Sequence, residues 1–332
     1  MSSVTRRLLA ALVYSILTVP FQADGQQAQK VPKIGFLWIG SPGAPSPLIE
    51  AFENGLRNLG WVQGENMTIE YRYAEGKAER FPDLAAELVH LPVEVIVAPP
   101  APATLASKTA TTTIPIVFTL GADPFAFGVL TAPQPLGGNI TGLTEITFEL
   151  TPKRLELLRE IMPALSRVAI LLQPGTLRDE TFGQMAKDAE ETARSLGLKL
   201  QFVEARPGDD LDLVFDQIAN ERAEALVVLM SPTFNSQTKR LADLASKHRL
   251  PTIYEWRFFP TAGGLISYGA EPGDIYRRAA TLVDKILKGA KPADLPIEQP
   301  TKLELVVNMK VARELNLTIP PSLVQQANEL IR

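Results

Sequence analysis

The chain has 332 residues, with 33 Lys plus Arg against 37 Asp plus Glu, a formal charge of −4, no Cys and two His. That balance excludes a nucleic-acid binder driven by bulk positive charge, and the missing thiols exclude cysteine nucleophiles, thiolate metal sites and disulfides. A composition of 45% hydrophobic and 21% charged residues supports a large core and excludes disorder as the main state.

At the N-terminus Arg6 and Arg7 precede the apolar stretch Leu8 to Val19, then Pro20 and small or polar residues to Ala28. The run is shorter than the roughly 20 residues of a membrane span, so residues 1–25 read as a signal peptide, the alternative being an uncleaved anchor. Ala23 and Gly25 suit a cut after Gly25, and cuts after Ala23 or Ala28 also fit. With no Cys to acylate, a lipoprotein is excluded, and the expectation is a soluble exported protein in the periplasm.

Beyond the leader, strand-length apolar runs alternate with helical periodicity. Lys33 to Ile39 reads as a strand, and Ile49, Phe52, Leu56 and Leu59 share one helical face that stops at Gly60. Thr68 to Arg72 alternates like a strand; Phe81, Leu84, Leu88 and Leu91 mark a helix. Val93 to Ala98 and Ile114 to Leu120 are buried-type strands around a short helix at Ala103 to Thr111. The rhythm restarts after the Gly- and Pro-rich stretch Pro133 to Gly142 with a helix at Pro152 to Ile161, a strand at Arg167 to Leu172 and a helix at Glu180 to Leu196. Strand Leu200 to Glu204, helix Leu211 to Ala219, strand Ala225 to Met230, helix Gln237 to His248 and strand Thr252 to Glu255 follow. Leu265 to Tyr268 is a strand, Ile275 to Leu287 a helix, Lys302 to Val307 a strand, and Met309 to Leu315 and Ser322 to Ile331 are helical.

Such alternation implies an α/β fold with parallel sheets flanked by helices, in two Rossmann-like lobes. At roughly 150 residues per domain the length also suggests two. The last third is too short for another domain and must complete the two existing sheets, so the chain crosses between lobes more than once and forms a multi-strand hinge. The lobes are expected at 31–143 plus about 268–300, and at 144–267 plus about 301–332.

No G-x-G-x-x-G follows a strand, and neither a G-x-x-x-x-G-K-[ST] loop nor a G-x-S-x-G elbow occurs. Dinucleotide, nucleotide and serine-hydrolase readings lose their support, and no cofactor is expected. His90 and His248 fall in the last turns of helices as solvated residues, and neither has a second ligand at metal-binding spacing.

In open α/β sheets ligands bind outside the carboxyl ends of the strands. That rule selects loops. Gly40 to Ser46 offers the hydroxyls of Ser41 and Ser46 at a helix start, where a carboxylate is favoured, although Ser46 also suits a plain N-cap. Pro99 to Thr104 lacks N–H donors at its prolines, and Thr104 is either a cap or a ligand hydroxyl. Asp123 sits at a strand end, as a cap or facing the cleft to pair with a cation. The other lobe carries Gln173, Ser231 to Asn235, and Tyr254-Glu255-Trp256, with Tyr268 to Glu271 after the crossing strand and Asp274 as the cap of the next helix. Tyr254, Trp256 and Tyr268 are either core packing or, clustered with Glu255 and Glu271, a site for an apolar ligand carrying an amine.

The runs EAFENGLRNLGWVQGENMTIEYRYAEGKAERFPDLAAELV, IPIVFTLGADPFAFGV, PLGGNITGLT, GGLISYG and VARELNLTIPPSLV resemble the ABC transporter substrate-binding family related to tryptophan and tyrosine uptake proteins. The resemblance spans nearly everything after the leader. It implies a type I periplasmic-binding-protein fold with three connecting strands, a small-molecule ligand in the cleft between the lobes, and ligand roles for Ser41, Ser46, Asp123, Asn235, Tyr268 and Glu271. It further implies an ABC permease with a separate ATPase as partner. The chain departs from that pattern at Pro99-Pro100-Ala101-Pro102, where relatives carry a Gly-Gly-Thr-Pro type loop, and at Phe234-Asn235, where they carry Asp-Asn; both changes fit a less polar or differently charged ligand.

The function expected is therefore non-enzymatic capture of a small organic ligand, an aromatic or other amino acid, by a monomer that closes about its hinge. A ligand sensor feeding a membrane receptor and a two-lobed α/β transferase stand as alternatives.

Overall fold

Apolar strands buried on both faces need helices above and below, and the computed structural model resolves that requirement twice over, in two mostly parallel sheets each covered by two helical layers. It describes residues 31–332 except 45, 100, 121–123, 127, 131–137 and 145–147. The signal-peptide assignment and Asp123 lie outside the described residues.

The first sheet collects β1 (Lys33–Trp38), α1 (Pro47–Asn58), β2 (Thr68–Tyr73), α2 (Phe81–His90), β3 (Val95–Val97), α3 (Ala101–Ala110), β4 (Ile116–Leu120) and β5 (Ile140–Thr144). The second begins with α4 (Thr151–Ile161), β6 (Arg167–Leu172), α5 (Asp179–Ser195), β7 (Lys199–Glu204), α6 (Leu211–Asn220) and β8 (Ala225–Val228). It continues through α7 (Pro232–Ser236), α8 (Thr238–Lys247), β9 (Thr252–Tyr254), α9 (Phe258–Thr261) and β10 (Ile266–Ala270). The chain then returns to the first sheet as α10 (Pro272–Leu287) and ends in the second with β11 (Leu303–Asn308), α11 (Met309–Glu314), α12 (Pro321–Gln326) and β12 (Glu329–Ile331).

Strand order is β2-β1-β3-β4-β5 in the first sheet and β12-β11-β10-β9-β8-β6-β7 in the second. Every pairing is parallel except β10 with β11. Alternation along each strand divides the cores. In β1, Ile34 and Phe36 face α1 and α10, while Leu37 faces α2 and α3. In β6, Val168 and Ile170 face α4 and α5, while Ala169 and Leu171 face α6 and α8. Residues 32–332 form one compact unit crossed three times by the chain: after β5, at Glu271, and between Glu298 and β11. On that last passage Glu298 pairs with Leu143, its N–H meeting the Gly142 carbonyl at 3.0 Å, so the return to the second sheet leans on β5.

Four differences from the sequence reading have local causes. Ile140 to Thr144 is a fifth buried strand and not part of a boundary: Gly142 lies against Phe118, where an added Cβ would come 2.3 Å from the Phe118 carbonyl oxygen. Residues 329–331 are a strand because β11 leaves a free edge, and Asn328 spans it with a side-chain and a backbone bond to Leu305, both 2.8 Å. Helix α10 starts at Pro272, so Glu271 and not Asp274 holds the N-cap position. His248 is mostly buried against the Phe215 ring, its Nε2 3.7 Å from Asp216.

Two predictions test these contacts. Gly142→Ala forces two backbones apart and is expected to lower unfolding free energy by about 3 kcal/mol in a urea titration. Glu224 accepts from the Ser166 N–H at 2.7 Å and from Arg167 Nη2 at 3.0 Å, and these bonds, the Ser166 N–H foremost, hold its carboxyl below the ordinary value. A depressed folded pKa stabilises above the unfolded pKa and is lost as pH falls through the folded one. Glu224→Gln is therefore expected to cost about 1 kcal/mol at pH 7, reduced by its partial exposure, and progressively less in parallel thermal melts as pH falls through the lowered folded-state pKa.

Candidate functional site

Where strand order reverses in a doubly wound sheet, the loops on either side part and leave a crevice at the carboxyl ends. In the first sheet this is the end of β1, between β2 and β3; in the second it is the end of β6, between β7 and β8. A cavity of about 230 Å³ lies at that second point. Its rim is made by residues at four successive strand ends: Gln173 after β6, Glu204 closing β7, Met230 after β8 and Glu255 after β9. Phe148, Leu172, Leu177, Phe182 and Leu229 supply an apolar wall.

The polar side of the cavity rests on Arg154, a fully buried arginine on α4. Its Nε donates to the Tyr268 carbonyl at 2.9 Å and its Nη1 to Glu255 Oε1 at 3.4 Å. Burial pulls the Arg154 pKa below its ordinary value, and the Glu255 carboxylate acts in the opposite direction. Glu255 is itself only 4% exposed, and an added Cβ on Gly269 would sit 2.1 Å from its carbonyl oxygen, so only glycine lets β10 run this close. Beside this pair, Gln173 presents a buried Oε1 with no hydrogen-bond partner, while its carbonyl takes the Thr176 hydroxyl at 2.8 Å to hold the loop.

A wider cavity of about 630 Å³ adjoins the first, Phe148 lining both. Here the two halves of the molecule meet: Pro124 and Phe125 beyond β4, with Thr144 and Ile297, face Arg178, Thr181 and Gln184 at the start of α5. The Arg178 guanidinium lies 4.6 Å from the centroid of the Phe125 ring.

The sequence-selected residues divide. Gln173 lines the cavity; Tyr268 does not, and its carbonyl accepts from Arg154, the partner of the lining Glu255. Ser41 is exposed beyond β1, and Ser46 caps α1, its Oγ accepting from the Ile49 N–H at 3.3 Å. The Thr104 hydroxyl, fully buried, donates to the Ala98 carbonyl at 2.7 Å. Ser231 caps α7, whose Asn235 keeps a buried Oδ1 with no hydrogen-bond partner. Glu271 pairs with Arg277 at 2.6 Å. The aromatics do not gather around Glu255 and Glu271: Tyr254 stacks on Phe259 at 4.4 Å in the core beneath α6 and α8, where burial pushes its phenol pKa up, while Tyr268 packs on the opposite side of the sheet. Arg154, Arg178, Phe125 and Phe148 escaped the sequence reading. Arg154 alone carried a signal, a cation amid Leu155, Leu157, Leu158 and Ile161 on one helix.

Among the described residues no helix is long and apolar enough to cross a membrane, and no group of three or more His, Asp or Glu could hold a metal ion. Two helix-covered sheets joined by three crossings, with a crevice at their carboxyl edges, define the type I periplasmic-binding-protein fold. The model of the family described as ABC transporter substrate binding protein matches residues 43–331, and the chain belongs to that family. It is 21% identical over 322 residues to a tyrosine-binding protein of Clostridioides difficile, an alignment covering 93% of this chain and 91% of the relative. Among solved structures, a conserved domain protein from Vibrio cholerae superposes with a TM-score of 0.75 at 25% identity, covering 91% of this chain and 100% of the other. An ABC domain from Streptococcus pneumonia in complex with L-Trp gives 0.75 at 22% identity, covering 90% and 99%.

Arg154→Ala strands the Glu255 carboxylate without its buried cation and is expected to lower unfolding free energy by about 3–5 kcal/mol in urea. The double variant Arg154→Met, Glu255→Gln is expected to recover part of that loss in the same titration, because neither half is then left charged.

Proposed function

We propose that the protein is the ligand-capturing component of an ABC importer and that it holds a small organic molecule, unchanged, between its two halves. The observation that carries this reading is the position of the wider cavity: it opens at the carboxyl edges of both sheets and is lined from both, with Arg178 reaching across to Phe125. Ligand contacts on two bodies joined by a hinge shift the equilibrium toward closure, because only the closed form makes both sets. The names of the relatives make amino acids, tyrosine and tryptophan first, the compounds to try.

In this reading the lobes are residues 32–144 with 272–298 and residues 148–270 with 303–331, and the hinge is the three passages between them. The N-terminal segment directs export to the periplasm, the protein acts as a monomer, and its closed form docks on a permease driven by a separate ATPase. No bond is made or broken in the ligand.

Thermal melts against a panel of amino acids, amines and small acids test this. A ligand at a hundredfold excess over its Kd is expected to add about 2.7 kcal/mol of stability, and mass spectrometry is expected to recover it unaltered. A panel without any shift, together with turnover of any compound offered, overturns the proposal.

A further inference from the structure

Charge is distributed unequally around the cleft. Among the described residues six carboxylates line the two adjoining cavities; Glu255 is paired with Arg154, Glu204 with Arg206 and Glu180 with Arg178, which leaves Glu149, Asp179 and Asp188 as rim carboxylates outside any ion pair. The first sheet contributes Pro124, Phe125, Thr144 and Ile297 to the lining, none of them charged. A crevice lined by one sign of charge between low-dielectric walls concentrates ligands of the opposite sign.

The neutral groups point the same way. Gln173 Oε1 is buried, lines the inner cavity and has no partner, so it lacks a donor. Acceptors for a cation thus accumulate on the second sheet's edge. The Phe125 ring already receives a cation on its face, the Arg178 guanidinium.

We infer that the molecule held in this cleft is a net-positive organic cation, an amine or guanidinium whose N–H donors meet Gln173 and the acidic rim while its carbon body lies along Phe148 and Phe182. The inference rests on the binding reading above and replaces a neutral zwitterion by a cation within it.

Isothermal titration and thermal melts of the protein with putrescine, spermidine and L-arginine, beside L-tryptophan, L-tyrosine and MgCl2, decide the matter. At least one organic cation is expected to bind, with affinity falling about tenfold between low and physiological salt as the rim is screened. Gln173→Leu is expected to weaken that binding about tenfold, and Asp179→Asn with Asp188→Asn to flatten its salt dependence. Binding of L-tryptophan or L-tyrosine with no response to the organic cations overturns the charge inference and leaves the capture reading standing. A response to MgCl2 equal to that of the amines and indifferent to Gln173→Leu overturns it as general attraction to an acidic protein. No response to any compound removes both readings.

Discussion

A guanidinium with no solvent exposure has lost its hydration and must recover it from fixed partners, and the partners Arg154 has found lie just after β9 and within its neighbour β10. Glu255 supplies the countercharge, the Tyr268 carbonyl a dipole, and Gly269 the clearance that lets the Glu255 backbone approach. These contacts stand next to the point where the chain leaves the second sheet at Glu271 for helix α10 on the first. The cavity floor and one of the three passages are therefore held by the same buried charge. Such an arrangement keeps the floor rigid while the loops above it, on Arg178 and Phe125, remain near solvent.

Strands buried on both faces were legible because nothing but a sheet between helices accepts runs such as those at Ile34 to Leu37 or Val168 to Leu172. The strand at Ile140 to Thr144 was not, since Gly142 and two threonines dilute the apolar signal, and the need for glycine is set by Phe118 on another strand. The last strand was hidden for a related reason: its helical periodicity is local, and the edge of β11 that captures it is formed some twenty residues earlier. Site positions followed from the strand-end rule, which brought Gln173 to the cavity. Side-chain roles did not follow, because a buried arginine on an amphipathic helix has the same letter as an exposed one, and alternation sends Tyr254 into the core while its neighbour Glu255 faces the cavity.

The division between the two edges has a mechanical reading. The first sheet brings apolar and neutral groups to the crevice, Phe125 and Ile297 among them, and the second brings the carboxylates, with Glu255 neutralised below by Arg154 and the others close to water. Charged rim groups cost little to hold because they keep their hydration, whereas the buried Glu255 requires the buried Arg154. In the binding mode proposed above, attraction at a distance and shape recognition at close range fall to different residues.

The contact of the Arg178 guanidinium with the Phe125 ring is modest by its chemistry. An exposed guanidinium over a phenyl ring contributes about 0.5–1 kcal/mol, and Arg178 is 45% exposed. Were the bridge worth several times that, the two halves would stay together whatever lay between them, and a ligand could add little to an equilibrium already decided. In the capture reading proposed above, a contact of that size is smaller than what a few well-placed hydrogen bonds add, so the contents of the crevice weigh more in closure than this contact does.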